Sequence, residues 1–389
     1  MDKRLVLFLI LVAIGLYTWP MAQGIFTDRW DPGTFVVHFE APPFQTAEPY
    51  MHQEFINPDP VSPMVHVGSI CELSHGRLAA AWYGGSREGA GNVSIFFSEK
   101  GPSETASWSE PKMVVDRLSA SRELNRYVKK VGNPVLFSGA DERLWLIYVT
   151  IAVGGWSGSS LNITWSDDAG ITWSRSRRLT LSPFFNISEL VRNRPLLMSN
   201  QGFAVPIYHE CLGNFPEILW LQPMDTSSGI RYKKSRMAGG TSYIQPSVVP
   251  FGPAHAVAFY RCQTEERAVG RAVSRDAGTT WSPPRNLSLP NPDAALAAVR
   301  LSNQQVLLAF NDSATGRETL SLAVSRDQGR HWCRIITIED TSGKEFSYPY
   351  LIRTKDGRFH LVYTWCRKRI KHMAFNEAWI QEQIKGASP

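Results

Sequence analysis

Four hairpin-like apolar runs open on a polar side chain directly before a proline: Asn133-Pro134, Arg194-Pro195, Gln245-Pro246 and Tyr348-Pro349. Two amides, a guanidinium and a phenol can between them hydrogen-bond and charge-pair a polar ligand. Proline holds the residue before it extended. It also has no N–H to give to a ladder, so it belongs at the first residue of a strand. The side chain before each proline is then aimed off the strand's end. Four such groups around one axis would make a ligand site; taken singly, each X-Pro step also serves simply to start a strand.

The elements that must position them are repeats. GSICELSHGRLAAAWYGG (from Gly68), NPVLFSGADERLWLIYVT (Asn133), RPLLMSNQGFAVPIYHE (Arg194), QPSVVPFGPAHAVAFYR (Gln245), AAVRLSNQQVLLAFN (Ala297) and YPYLIRTKDGRFHLVYTW (Tyr348) share one pattern. An apolar run, a turn bearing Gly or Asn, and a second apolar run make each a β-hairpin. The starts recur about every 50 to 65 residues, a period typical of stacked repeats. A single hairpin cannot bury both faces, so the six must pack on one another, and a ring leaves only short, protected edges. The chain therefore reads as an all-β, six-bladed β-propeller whose first strands line a central channel. Strand sharing between the chain's two ends should latch the ring, with Ile370–Phe375 and Thr34–Phe39 as the candidate runs.

A second repeat is offset from the first. Ser166-Asp-Asp-Ala-Gly-Ile-Thr-Trp173, Ser274-Arg-Asp-Ala-Gly-Thr-Thr-Trp281 and Ser325-Arg-Asp-Gln-Gly-Arg-His-Trp332 follow S-x-D-x-G-x-x-W, with a worn copy from Ser98 to Trp108. Asp caps backbone N–H groups, Gly takes a positive φ, and Trp packs back on the blade. These aspartates are folding staples rather than catalytic groups.

This motif is the Asp-box, or BNR repeat, and with six units the chain resembles the sialidase (neuraminidase) superfamily over roughly residues 55 to 375. That family grips a sugar carboxylate with three arginines, since a guanidinium fork matches a carboxylate. It attacks with a tyrosine activated by a glutamate, and an acidic loop residue serves as acid/base. A neutral phenol suits an anomeric carbon that already carries a carboxylate; sialidases are a recognised exception to the two-carboxylate rule. By resemblance Tyr348 is the nucleophile and Glu88 the loop acid, while Arg261 and Arg317 are carboxylate ligands, helped by His66 or Arg194. Two positions depart from the pattern. His66 stands where the first arginine belongs, and Gln245 where the activating glutamate belongs; an amide cannot accept a proton, so Glu345 is the nearest alternative base. Gln245 and Asn133 are then expected as substrate ligands.

The remaining signals bound the function. At 389 residues and 43% apolar, the chain suits one large domain. The segmentation expected is 1–24 a signal peptide or signal-anchor, 25–54 a lead-in, 55–375 the propeller and 376–389 a tail. Met1-Asp-Lys-Arg4 followed by an apolar stretch reads as a secretory signal or an uncleaved membrane anchor, with Ala22–Gly24 as the cleavage region. The propeller is accordingly expected outside the cytoplasm. Five isolated cysteines without CxxC spacing, and histidines without ligand spacing, imply no metal or other cofactor. Net charge +6 suits an anionic ligand, although Arg367–His372 also reads as a solvated basic face. There is no basic-aromatic interleaving for nucleic acid. Trp82-Tyr83, Trp156 and Trp365 read as sugar-stacking or core aromatics. Five N-x-S/T sequons begin at Asn92, Asn162, Asn186, Asn286 and Asn311. Two functions follow: an exo-glycosidase cleaving a terminal acidic sugar from a glycan, or a non-catalytic carbohydrate-binding propeller of the cell surface.

Overall fold

Apolar runs with no polar alternation make strands buried on both faces, and the middle strand Leu144–Ile151 is buried at every residue. In the computed structural model such runs form six antiparallel sheets. Residues 2–12, 14–15, 30–37, 48–59, 61–139, 141–182, 186–211, 213–224, 229–237 and 239–387 are described. The innermost strands of blades one to six are Met64–Glu72, Lys130–Ser138, the pair Glu189–Val191 and Leu196–Leu197, Tyr243–Pro250, Ala297–Arg300 and Phe346–Arg353. Each is followed in its blade by strands that step outward, so the molecule is the six-bladed β-propeller expected.

The ring is latched, but by a different segment from the one expected. Met51–Phe55 pairs antiparallel with Arg369–Phe375, from Met51 opposite Phe375 to Phe55 opposite Lys371, and becomes the outermost strand of blade six. All of this strand but Phe55 lies in the stretch 25–54 that the sequence sets apart as a lead-in. The run starting at Thr34 goes elsewhere: Phe35 bridges Met198 of blade three, and the Val36 N–H donates to the Leu197 carbonyl. His38 and Phe39, which complete that run, lie outside the described residues. Met51–Phe55 has apolar residues only at its two ends, whereas the Thr34 run is apolar at four of six positions, so apolar content favours the segment that does not close the ring.

The three S-x-D-x-G-x-x-W segments form one hairpin tip three times. In each, the Ser hydroxyl donates to the Asp and accepts the Gly N–H, as Ser166 does with Asp168 at 2.6 Å and Gly170 at 2.7 Å. The residue before each Gly, and the Gly itself, have positive φ. A Cβ at Gly329 would lie 2.3 Å from Phe259 of the preceding blade, so the tip presses on its neighbour. Trp173 and Trp332 meet Phe97 and Phe259 edge-on. Hydrogen bonds from Ser166 and Thr172 hold the Asp168 carboxyl down at about 2.

The segment 376–389 is more than a tail. Glu377–Ala387 is a helix whose Trp379, Ile380 and Ile384 join the hydrophobic cluster of blades five and six. Its start is capped by Asn376, which accepts the Trp379 N–H at 2.9 Å. At the other end, residues 3–12 are helical, and the cleavage region at Ala22–Gly24 lies outside the described residues. Among the described residues no helix is long and apolar enough to cross a membrane. Of the sequons, Asn162, Asn186 and Asn311 are buried, which closes them to glycosylation in the folded chain; Asn92 is exposed.

Candidate functional site

The mouth of the channel is made by a backbone irregularity used four times. Pairing between the first two strands slips between His66 and Ser69, Gly132 and Val135, Ile244 and Ser247, and Ser347 and Tyr350. At each slip one residue is left-handed: Val67 (φ 53°), Asn133 (44°), Gln245 (55°) and Tyr348 (55°). The three residues before proline are therefore not extended as expected. The bulge overrides the proline's local preference, at about 1–3 kcal/mol per non-glycine residue. Bulges re-aim side chains, and these turn Asn133, Gln245 and Tyr348 into one cavity.

Blade three supports the irregularities. Its inner strand is interrupted between Val191 and Leu196, and two buried side chains from the gap reach other blades, Arg192 blades one and six and Asn193 the adjacent blade four. Arg192 donates to the carbonyls of Gly68 (3.2 Å), Pro349 (3.0 Å) and Tyr348. Asn193 Nδ2 donates to Gln245 and Pro246 at 2.9 and 3.1 Å. Carbonyls released by the bulges thus regain partners. Arg192 also lies 5.4 Å over the Tyr348 ring, and burial pushes its guanidinium down to about 10.

The cavity holds about 480 Å³. Three arginines enter it from different blades: Arg261 from the second strand of blade four, Arg317 from the loop before Thr319–Ser325 in blade five, and Arg367 from the last turn of blade six. Arg367 is held by strain. Cys366 and Arg367 have φ of 51° and 53°, and the Lys368 N–H donates to the Trp365 carbonyl. These are the features of a type I′ turn, normally made by Asn and Gly.

Carboxylates hold each guanidinium from behind. Arg261 Nε donates to Asp293 at 2.5 Å, and Arg317 Nη2 to the Asp293 carbonyl at 3.0 Å. Glu345 accepts from Arg367 Nε and from the Ser347 hydroxyl, both at 2.6 Å, and lies 3.6 Å from Arg317. Burial raises the Glu345 carboxyl, but those hydrogen bonds and the two arginine charges outweigh it and hold it low. Glu88, on the loop after the second strand of blade one, pairs with Arg367 Nη1. Arg317 lies 5.6 Å over the Tyr348 ring. Among the described residues the Tyr348 hydroxyl has no hydrogen-bond partner.

The profile of the BNR repeat-like domain matches residues 76–361. The chain belongs to the BNR repeat-like family. Its propeller has the sialidase fold. The microbial sialidase Hz136 from the Hadza is 16% identical with a TM-score of 0.65, over 80% of this chain and 66% of its own. The chain thus spans just under two thirds of that protein. The leech intramolecular trans-sialidase is 14% identical, with a TM-score of 0.65 over 85% of this chain and 71% of its own. A protein of unknown function from Dyadobacter fermentans DSM 18053 is 14% identical, with a TM-score of 0.62 over 80% and 94%. No curated protein is significantly similar in sequence.

In this BNR-repeat propeller, Tyr348, Glu88, Arg261, Arg317, Gln245 and Asn133 all line one cavity. Three other expected residues do not play the parts given them. His66 is fully buried and packs edge-on against Tyr348 at 4.7 Å, with Nδ1 on the Thr364 hydroxyl. Burial, then the charges of Arg367, Arg317 and Arg192, push it well below its ordinary value, so it is a neutral buttress and no cation. Arg194 lies at the opposite end of the channel, where it lines another cavity. Glu345 serves the arginines, and no hydrogen bond joins it to Tyr348.

Arg367 was hidden in the basic run Arg367–His372. Its place in the turn of the last hairpin, on the same rim as Arg261, was the signal available. Tyr208 and Glu210 end the second strand of blade three and also line the cavity. Gln245 Nε2 donates to the Tyr208 hydroxyl at 3.1 Å, and burial pushes the Glu210 carboxyl up despite Arg261. Trp156 lines the same cavity, whereas Trp82 is core and Trp365 packs on Phe55. Among the described residues one cluster, Glu189, His209 and Glu217, has metal-ligand proximity; the Lys234 ammonium bridges its two carboxylates.

Proposed function

We propose that the cavity is the active site of a retaining exo-glycosidase that removes a terminal acidic sugar, sialic acid or a relative, from a glycan outside the cytoplasm. The observation that carries this reading is the convergence of Arg261, Arg317 and Arg367 beside Tyr348. The sugar carboxylate displaces Glu88 from Arg367 and takes the three guanidinium forks, with Asp293 and Glu345 remaining behind them. The Tyr348 oxygen then attacks the anomeric carbon as the bond to the leaving oxygen breaks. Glu88, released from its ion pair, takes up a proton from solvent and gives it to that oxygen. Water next attacks the glycosyl–tyrosine carbon, Glu88 takes the water's proton, and Tyr348 leaves as a phenolate that regains its proton from solvent or Glu210. The phenol's first proton passes to solvent or to Glu210, since Gln245 cannot take it.

Gln245 also favours a second reading, a non-catalytic carbohydrate-binding propeller. There the same arginines hold an acidic glycan that Tyr348 does not attack. A panel of fluorogenic acidic and neutral glycosides separates the two. Turnover of an acidic member that is lost in Tyr348→Phe supports the enzyme. Saturable binding of the acidic sugar, equal in both chains and without turnover, supports the binding module.

A further inference from the structure

The channel has a second mouth, opposite the first, built from the C-terminal ends of the inner strands. Glu72, Ser138, Pro250, Arg300 and Arg353 end five of those strands, and Arg194 with Leu197 supplies the sixth. They line a cavity of about 740 Å³, within the ordinary size range of small-molecule sites.

Its charge is unbalanced. Arg194, Arg300, Arg353 and Lys355 line it with a single acid, Glu72, among the described residues. Glu72 is already used, accepting the Lys355 backbone N–H at 2.9 Å. Arg353 donates to the Ser302 hydroxyl at 2.8 Å, with Glu377 at 3.8 Å, and Arg300 reaches the Phe251 carbonyl at 3.3 Å. Arg194 differs. Its Nε is buried without a partner, and among the described residues the side chain has no hydrogen bond and no ion pair. An uncompensated buried charge is costly, so a guanidinium fork left open at a cavity is a place made for an anion. Around it the walls are apolar: Val36, Val37, Phe137, Leu197 and Phe203.

From this geometry we infer that the far mouth is a second ligand site, separate from the arginine cavity around Tyr348, which takes a small organic anion: a phosphate or carboxylate head on an apolar body. The head forks onto Arg194 in the field of Arg300 and Arg353. The body lies against the valines and phenylalanines.

The probe is phenyl phosphate, titrated calorimetrically and by thermal shift into the full chain carrying Arg317→Gln and Arg367→Gln, which silence the first mouth. Binding is expected in this background. Inorganic phosphate should bind more weakly, for lack of the apolar body, and benzyl alcohol should not register. Adding Arg194→Met should weaken phenyl phosphate about ten- to hundred-fold, the loss of one charge-assisted contact. It should also leave the anion-free melting temperature unchanged or higher, because an unpaired charge has gone. If Arg194→Met does not fold, Arg194→Lys carries the test and should bind several-fold more weakly for want of the fork. No binding in the starting background, or equal affinity in the Arg194 variants, overturns the proposal. Phosphate and phenyl phosphate binding alike would overturn the apolar half of it.

Discussion

The rim and the mouth of the propeller use the same residue types to opposite ends. At the rim, Asp168, Asp276 and Asp327 spend their carboxylates on their own hairpins, through the same set of hydrogen bonds three times over. At the mouth, the loop residues Asp293, Glu345 and Glu88 pair with guanidinium groups instead, and each arginine stands at a different place in its blade. Each positive-φ residue of the rim is followed by a positive-φ glycine; Val67, Asn133, Gln245, Tyr348 and Arg367 at the mouth have no such glycine, and blade three braces the backbone at Gly68, Gln245 and Tyr348. Where a motif repeats identically it holds blades together. Where symmetry fails and strain collects, three arginines converge on one cavity.

The contrast can be broken most sharply at Tyr348. Tyr348→Phe should lower kcat/KM on an acidic glycoside by on the order of a thousandfold or more, as loss of a covalent nucleophile does. Steady-state kinetics beside an unchanged melting temperature checks this. The next effect sets matched arginines against each other. Arg317→Lys should cost about ten- to hundred-fold in kcat/KM, because an ammonium lacks the fork. Arg326→Lys, exposed within a rim motif, should cost nothing. Equal effects at the two positions would erase the distinction between rim and mouth.

A rim change should act on stability alone. Asp276 accepts the Thr280 N–H at 2.9 Å and the Thr280 hydroxyl at 2.5 Å, and Asp276→Ala should lower stability by about 1–2 kcal/mol, as loss of a cap does. Activity per folded molecule should hold; urea titration and kinetics on the same sample decide it.

Mild acid should distinguish the regions least strongly but in a definite direction. The rim carboxylates are held low and do not titrate there. Burial holds His66 at the mouth, and His360 and His372 at the seam between the chain's ends, below the ordinary histidine value. The unfolded chain takes up these protons first, so their contribution is complete above about pH 6.5 and falls as pH drops toward the folded values. The slope is at most about 1.4 kcal/mol per pH unit for each histidine. His360, whose Nδ1 is 3.0 Å from His372 Nε2, is the residue to change. His360→Gln should flatten the fall in urea midpoint between pH 7 and 5, and an identical fall would contradict this reading.

Much of the rim and ring was legible because each feature is local. Hairpin runs, turn glycines and the S-x-D-x-G-x-x-W spacing all act within about ten residues, which sequence pattern captures. The mouth was legible where a side chain's place follows from its blade, as for Tyr348, Arg261 and Arg317. It failed where two distant segments decide. X-Pro at Arg194 looked like X-Pro at Gln245, yet blade three breaks its inner strand and sends Arg192 and Asn193 to the axis instead, leaving Arg194 at the far end. Arg367 depends on a strained turn between two ordinary strands. Thr34–Phe39 is the more strand-like run by residue type, and only the geometry of closure gives the latch to Met51–Phe55.

The central claim is that Tyr348 forms a bond to an acidic sugar. Incubating the chain with a fluorinated acidic-sugar fluoride, which forms the glycosyl–enzyme but deglycosylates slowly, and mapping the adduct by peptide mass spectrometry tests it directly. One sugar per chain is expected, attached to the peptide containing Tyr348 and absent in Tyr348→Phe. An unlabelled chain that nonetheless binds the acidic sugar, or a label on another residue, would contradict it.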